Sequence, residues 1–389
     1  MPQQKFDPLL ITQELIRCPS ITPLEAGTLD LIEKYLKELG FTCYRQKFSE
    51  AETDDVENLY ARYGESAPNL CFAGHTDVVP VGDLTQWTFD PFEAKIDKHH
   101  LYGRGAVDMK GAIACFISAV KHYLDEHKCP GSLSLLITCD EEGPSINGTK
   151  KLLEWVESQG EKIDYCLVGE PSNPEHIGDM IKVGRRGSLT GEVIVEGTQG
   201  HIAYPHLADN PCHKLVTLLE HLKNIELDKG NQHFQPSSLQ IFTIDVNNPT
   251  TNIIPAKASA KFNIRFNTHY TGNTLEAHLR EILDNIANQY DIKYKMNIRV
   301  SGEAFLTENT ELIDYLSQAI DKHTSSKAEL STSGGTSDAR FIHKHCPVVE
   351  FGLVSQTMHK VDEYVRTEDI YTLTHIYQSF ITCLFEQYK

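Results

Sequence analysis

Short, mostly apolar runs with little alternation recur along the chain at residues 70–73, 133–138, 165–168 and 348–351. A strand buried on both faces meets no water on either side, so runs of this kind predict interior strands of a covered sheet. Between them, apolar positions return at helical spacing over residues 111–124, 148–155 and 368–386. Strands alternating with such helices predict a doubly wound α/β domain with a mixed sheet.

The middle of the chain has a different pattern. Residues 189–195, 238–246, 257–266 and 292–300 alternate apolar with polar positions, as strands with one wet face do, and 210–222 and 274–290 read as helices. The order β-α-β-β-α-β predicts an inserted ferredoxin-like α+β domain. We place it at 185–299, between a first catalytic segment at 1–184 and a second at 300–389.

A length of 389 residues exceeds what one hydrophobic core usually serves, which agrees with two domains. Lys and Arg total 36 against 54 Asp and Glu, a formal charge of −18. That charge repels phosphate backbones and anionic bilayers, so no nucleic-acid or membrane partner is expected. The N-terminal stretch Met1-Pro2-Gln3-Gln4-Lys5-Phe6-Asp7 lacks the apolar core of a signal peptide, and no apolar run is long enough to cross a bilayer. A cytoplasmic protein with reduced thiols is expected. No two of the ten cysteines lie closer than Cys129 and Cys139, so any metal must be held by His and carboxylates.

Candidate ligands stand where the apolar strands end. The first runs into His75-Thr76-Asp77, an imidazole and a carboxylate two residues apart on one side of an extended chain. Such a pair suits a metal ligand and the group that orients it, although a polar surface turn reads the same. Asp108 precedes the helix that opens near Gly111, where a helix cap and a ligand are both natural. Asp140-Glu141-Glu142 sets three carboxylates side by side, which repel one another unless solvent or a cation compensates. Glu170 and His359 follow the other two strands. In an open α/β sheet, ligands bind in the crevice beyond the carboxyl ends of the strands, so these residues are predicted to converge. A nitrogen and oxygen set without thiolate suits zinc, with cobalt or manganese compatible.

Several motifs together carry a resemblance: Phe72-Ala73-Gly74-His75-Thr76-Asp77-Val78-Val79-Pro80, Gly103-Arg104-Gly105-Ala106-Val107-Asp108-Met109-Lys110-Gly111, Asp140-Glu141-Glu142-Gly143, Gly184-Arg185-Arg186-Gly187-Ser188, Gly200-His201-Ile202-Ala203-Tyr204-Pro205-His206 and Gly334-Gly335-Thr336-Ser337-Asp338. Over nearly its whole length the chain resembles the dinuclear zinc aminoacylase and carboxypeptidase family. The resemblance implies two Zn2+ per subunit, with Co2+ acceptable in one site. Asp108 would bridge them, with His75 and Glu170 on one ion and Glu142 and His359 on the other. Glu141 would be the general base and Asp77 the residue that orients His75, and a cis peptide is expected between Asp108 and Met109. Substrate contacts would come from Arg185, Ser188, Asn252, Arg265, Gly335 and Thr336. The inserted domain would serve as lid and dimerisation domain of a homodimer, with His201 crossing to the neighbouring subunit to help stabilise an oxyanion.

The Gly-Arg-Arg-Gly-Ser and Gly-His-Ile-Ala-Tyr-Pro-His segments favour the branch that hydrolyses succinyl amides. A deacylase or carboxypeptidase for another acylated amino acid is the nearest alternative. A non-catalytic binding homologue is the alternative of another class, although it would have no need of a base beside a ligand. One departure is Ser355, which lies in the segment before the last ligand where the family usually has Asn.

Overall fold

A computed structural model of the chain describes residues 3–324 and 326–388. The chain forms two compact units. The first takes the residues up to Val183, then Thr307–Ser331, and the residues from Ser337 onward; the second takes Gly184–Leu306 with Thr332–Thr336.

An eight-stranded mixed sheet organises the first unit, in the order Thr42–Phe48, Val56–Tyr63, Ser132–Thr138, Asn69–His75, Tyr165–Val168, Val348–Glu350, Met180–Lys182 and Glu329–Ser331. Ser132–Thr138, Asn69–His75, Tyr165–Val168 and Val348–Glu350 are the four apolar runs of the sequence, and each pairs in parallel with the next. Every residue of Asn69–His75 and Ser132–Thr138 is buried, the condition that favours a mostly apolar sequence without alternation. Helices Lys110–Glu126, Thr149–Ser158 and Thr367–Glu386 stand where the helical spacing predicts them. Phe72, from the centre of the sheet, stacks on Phe116 with ring centroids 4.4 Å apart, while Tyr377 meets both rings edge-on. The hydroxyl of Tyr377 donates to the backbone oxygen of Phe351 at 2.6 Å, so a buried polar tip is satisfied where the fourth strand ends.

The second unit carries an antiparallel sheet in the order Ser238–Asp245, Lys257–Phe266, Gly187–Glu196 and Tyr294–Gly302, with helices Pro211–Lys223 and Gly272–Tyr290. This is ferredoxin-like connectivity. Its core gathers Leu189, Val193, Leu218, Phe262, Phe266, Leu279 and Leu283. Gly187 and Gly191 stand opposite Phe266 and Phe262 in the register, and a Cβ on either glycine would come within 2.2 Å of the facing ring. The aromatic rings fill the space that the missing side chains leave. The unit reaches past residue 299 because Phe305–Leu306 pairs with Gly184–Arg185.

Candidate metal centre

Four parallel strands end on one edge of the large sheet, and each hands its chain to a loop bearing a charged or imidazole side chain. His75 closes Asn69–His75; Glu141 and Glu142 follow Ser132–Thr138; Glu170 follows Tyr165–Val168; His359 lies beyond Val348–Glu350. Asp108 enters from the turn before Lys110–Glu126. That helix is capped at Met109 with no side-chain cap bond, so the Asp108 carboxylate is not spent on the helix end. The peptide bond between Asp108 and Met109 is cis.

The Asp108 carboxylate faces two imidazoles at once. Its Oδ1 lies 3.1 Å from His75 Nε2 and its Oδ2 lies 3.1 Å from His359 Nε2. Glu170 Oε1 stands 3.6 Å from the same nitrogen of His75, and Glu142 Oε1 stands 2.8 Å from that of His359. Two trios result, His75-Asp108-Glu170 and Asp108-Glu142-His359, with the ligand atoms of each within 4.8 Å of one another. His359 adopts a left-handed φ of 62°, an uncommon backbone for a non-glycine residue and one that occurs often at functional sites.

The neighbouring carboxylates divide the remaining work. Nδ1 of His75 lies 3.0 Å from the backbone oxygen of Asp77 and 3.6 Å from its carboxylate, so Asp77 fixes the imidazole chiefly through its main chain. The Asp77 carboxylate accepts the amides of Glu141 and Glu142, at 3.3 and 3.0 Å, and thereby ties the second ligand loop to the first. Asp140 accepts the amides of Ser145, Ile146 and Asn147, folding the loop rather than entering the site.

Five carboxylates surround two imidazoles here. Burial pushes the Glu170 carboxyl well up, helped by the charges of Asp108 and Glu141, and burial likewise raises Asp77 to about 6 against the pull of His75. Bonds to Asp108 and Glu142 raise His359 to about 10. A half-buried cluster with this surplus of negative charge and only nitrogen and oxygen donors is suited to divalent cations, and the two trios are of the kind that hold them.

The other predicted residues lie in the second unit. Strand Gly200–His201 pairs with Ile253–Ile254, and the Ile202 amide donates to the Asn252 oxygen at 3.0 Å, which brings His201 and Asn252 together on an exposed loop. Arg185 Nη1 donates to the Gly335 oxygen at 3.1 Å, next to Thr336 in the chain. Ser188 and Arg265 are register partners in adjacent strands. In the first unit, Ser355 turns its hydroxyl to the Asn173 oxygen at 3.2 Å, while Gln356 is exposed.

Sequence reasoning passed over Arg104 and Glu363. Both are buried, and they form an ion pair at 2.7 Å between the loop of Asp108 and the loop of His359. An arginine between two glycines and an acidic residue four places after a candidate ligand were the only signals.

Comparison with known proteins agrees with this geometry. The family model of peptidase family M20/M25/M40 matches residues 71–382. A succinyl-diaminopimelate desuccinylase of Rhodospirillum centenum is 55% identical over 376 residues, covering 96% of each chain. A second, of Parvibaculum lavamentivorans, is 52% identical, covering 98% of this chain and 96% of its own. An M20 family metallo-carboxypeptidase from Sulfolobus solfataricus shares the fold with a TM-score of 0.75 at 19% identity, covering 97% of this chain and 99% of that one. The chain belongs to peptidase family M20/M25/M40, a class of metal-dependent hydrolases.

Proposed function

We propose that the chain is a succinyl-diaminopimelate desuccinylase, hydrolysing N-succinyl-LL-2,6-diaminopimelate to succinate and LL-2,6-diaminopimelate in the cytoplasm, on the route to lysine and cell-wall precursors. The observation that carries this reading is the pair of His and carboxylate trios sharing Asp108, in a chain 55% identical to a desuccinylase of that name. Among the described residues no helix is long and apolar enough to cross a membrane.

In this reading His75 and Glu170 would hold one zinc ion, Glu142 and His359 the other, and Asp108 would serve both, with cobalt acceptable in one position. When bound, such a pair supplies an acidified water and a polarised carbonyl. Glu141 takes the proton from the attacking water as oxygen bonds to the succinyl carbonyl carbon. It then delivers that proton to the amine nitrogen as the C–N bond breaks. The substrate carries several carboxylates, which suit the planar forks of Arg185 and Arg265 and the polar groups of Ser188, Asn252, Gly335 and Thr336.

The direct test measures kcat/KM on N-succinyl-diaminopimelate, N-acetylornithine and other acylated amino acids with the metal-loaded protein. The succinyl substrate is expected to lead by a factor of about 10² or more, since a site built to pair a substrate's polar groups rejects analogues that leave its own groups unpaired. A preference for acetylornithine or for a peptide would sink the assignment.

The smaller unit is proposed to join two chains, with His201 serving the partner chain. Its edge strand Ser238–Asp245 exposes Phe242 (58%) and Ile244 (62%), and the loop after His201 exposes Tyr204 (56%) and Leu207 (70%). An uncovered apolar edge of this kind invites pairing. Co-expression of His201→Ala with Glu141→Gln discriminates. Each variant alone is expected to be inactive, yet a mixed dimer holds one site with Glu141 in one chain and His201 in the other. Recovered activity in mixed dimers supports action across the interface, and none recovered places His201 in its own chain's chemistry or outside it.

A further inference from the structure

Arg104 and Glu363 lie far apart in the chain and are almost fully buried, at 2% and 0% exposure. Arg104 Nη1 donates to Glu363 Oε2 at 2.7 Å and to the Lys360 backbone oxygen at 3.1 Å. The other carboxylate oxygen, Oε1, accepts the amide of Val107 at 2.9 Å and that of Asp108 itself at 3.3 Å. The main chain repeats the link, with the Gly103 amide donating to the Glu363 oxygen at 2.9 Å. One ion pair therefore fastens the segment that carries Asp108 to the segment that carries His359.

A third segment joins the same knot. The Arg104 guanidinium lies over the Trp87 ring, 5.2 Å from its centroid, and Trp87 belongs to the loop that continues from His75 and Asp77. In that loop the amide and hydroxyl of Thr88 both donate to the Asp362 carboxylate at 2.7 Å. His359 and Asp362 sit at left-handed φ values of 62° and 55°. A loop held in so uncommon a backbone needs outside contacts to fix it, and these contacts supply them.

We propose that Arg104 and Glu363 are positioning residues for the metal centre: their buried pair sets the spacing between Asp108 and His359 before any ion arrives. This rests on the reading of those two residues as ligands. A solvent-exposed link would be too weak to do this, but a buried ion pair whose carboxylate also accepts two backbone amides holds its geometry, because each charge left alone would be uncompensated in a dry interior.

Metal affinity of the metal-free protein, read by chelator competition with Zn2+, tests the proposal, with KM and kcat measured at saturating metal. Glu363→Gln keeps the shape and one acceptor but removes the charge. It is expected to weaken zinc binding by about 10–100-fold, leave KM unchanged, and recover kcat as zinc is raised. Should that variant fail to fold, Arg104→Met with Glu363→Gln removes both charges and leaves none uncompensated; it is expected to fold and to show the same loss of affinity. Wild-type affinity in whichever variant folds would overturn the proposal, and so would failure of the double variant to fold, since the pair would then serve the fold alone. His359→Ala separates the two levels. If it loses zinc while the pair variants do not, only the positioning role falls; if it binds zinc as the wild type does, the ligand reading falls with it.

Discussion

Glu141→Gln is expected to lower kcat by about 10²–10⁴-fold, the usual contribution of a positioned general base, while metal content stays at the wild-type level. The backbone amide of Glu141 donates to the Asp77 carboxylate, and its neighbour Glu142 faces His359. Burial raises the Glu141 carboxyl, the charges of Asp338 and Glu142 raise it further, and His75 opposes them. A general base works deprotonated, so activity should fall as the pH drops far enough to protonate Glu141. The variant should lose that acid limb from its residual rate.

Stability provides a second readout with a defined sign. A carboxyl whose pKa is raised on folding binds its proton more tightly in the native state, so the native state loses stability as pH rises from the unfolded value through the folded one. The metal-free Glu141→Gln protein should therefore melt at or above the wild-type temperature at neutral pH. Gain of stability with loss of turnover marks a group kept for chemistry and not for the fold. A near-normal kcat, or a loss of activity that tracks a lower melting temperature, would refute the assigned role.

How much of this was legible depends on what each residue's signal was. The four interior strands stood out because burial on both faces favours apolar residues over alternation, and the observed strands fall within two residues of the mostly apolar runs. The smaller sheet was legible by the complementary rule, alternation on one wet face, as in Lys257–Phe266. Thr42–Phe48 was missed because it is an edge strand with no buried residue to write a pattern. Met180–Lys182 and Glu329–Ser331 are three residues each and hold no two adjacent aliphatic β-branched residues of the kind that mark Val348–Glu350. At the site, single carboxylates were ambiguous by nature. Asp108 taken alone read better as a helix cap, and only its two imidazole neighbours decide between the uses. Asp140 and Glu141 look alike in sequence, yet one folds a loop through three amides and the other does not. Arg104 and Glu363 left almost no trace because a buried ion pair between distant segments has neither period nor fixed spacing.

Asp108→Asn should be the most damaging single change at the centre, because Asp108 is the one residue both trios share. Asn preserves the volume but replaces one carboxylate oxygen with an amide nitrogen that donates and cannot ligate, and it removes the charge between two imidazoles. Zinc content measured by elemental analysis is expected to fall for both positions together, whereas His75→Ala and His359→Ala should each impair chiefly one, and activity should fall to background. The stability of the metal-free protein should move opposite to that of Glu141→Gln. Although burial works against it, the bonds to His359 and His75 hold the Asp108 carboxyl below the usual carboxylate range. A carboxyl depressed on folding contributes stability above its unfolded value that is lost only as pH falls through the folded one, so at neutral pH the Asn variant forfeits it. Two neighbouring carboxylates replaced by their amides should thus shift the metal-free melting temperature in opposite directions, Asp108→Asn downward and Glu141→Gln level or upward. Scans at pH 7 against a chelator decide the matter: shifts of the same sign, or zinc retained at both positions in Asp108→Asn, would mean that Asp108 does not join the two trios.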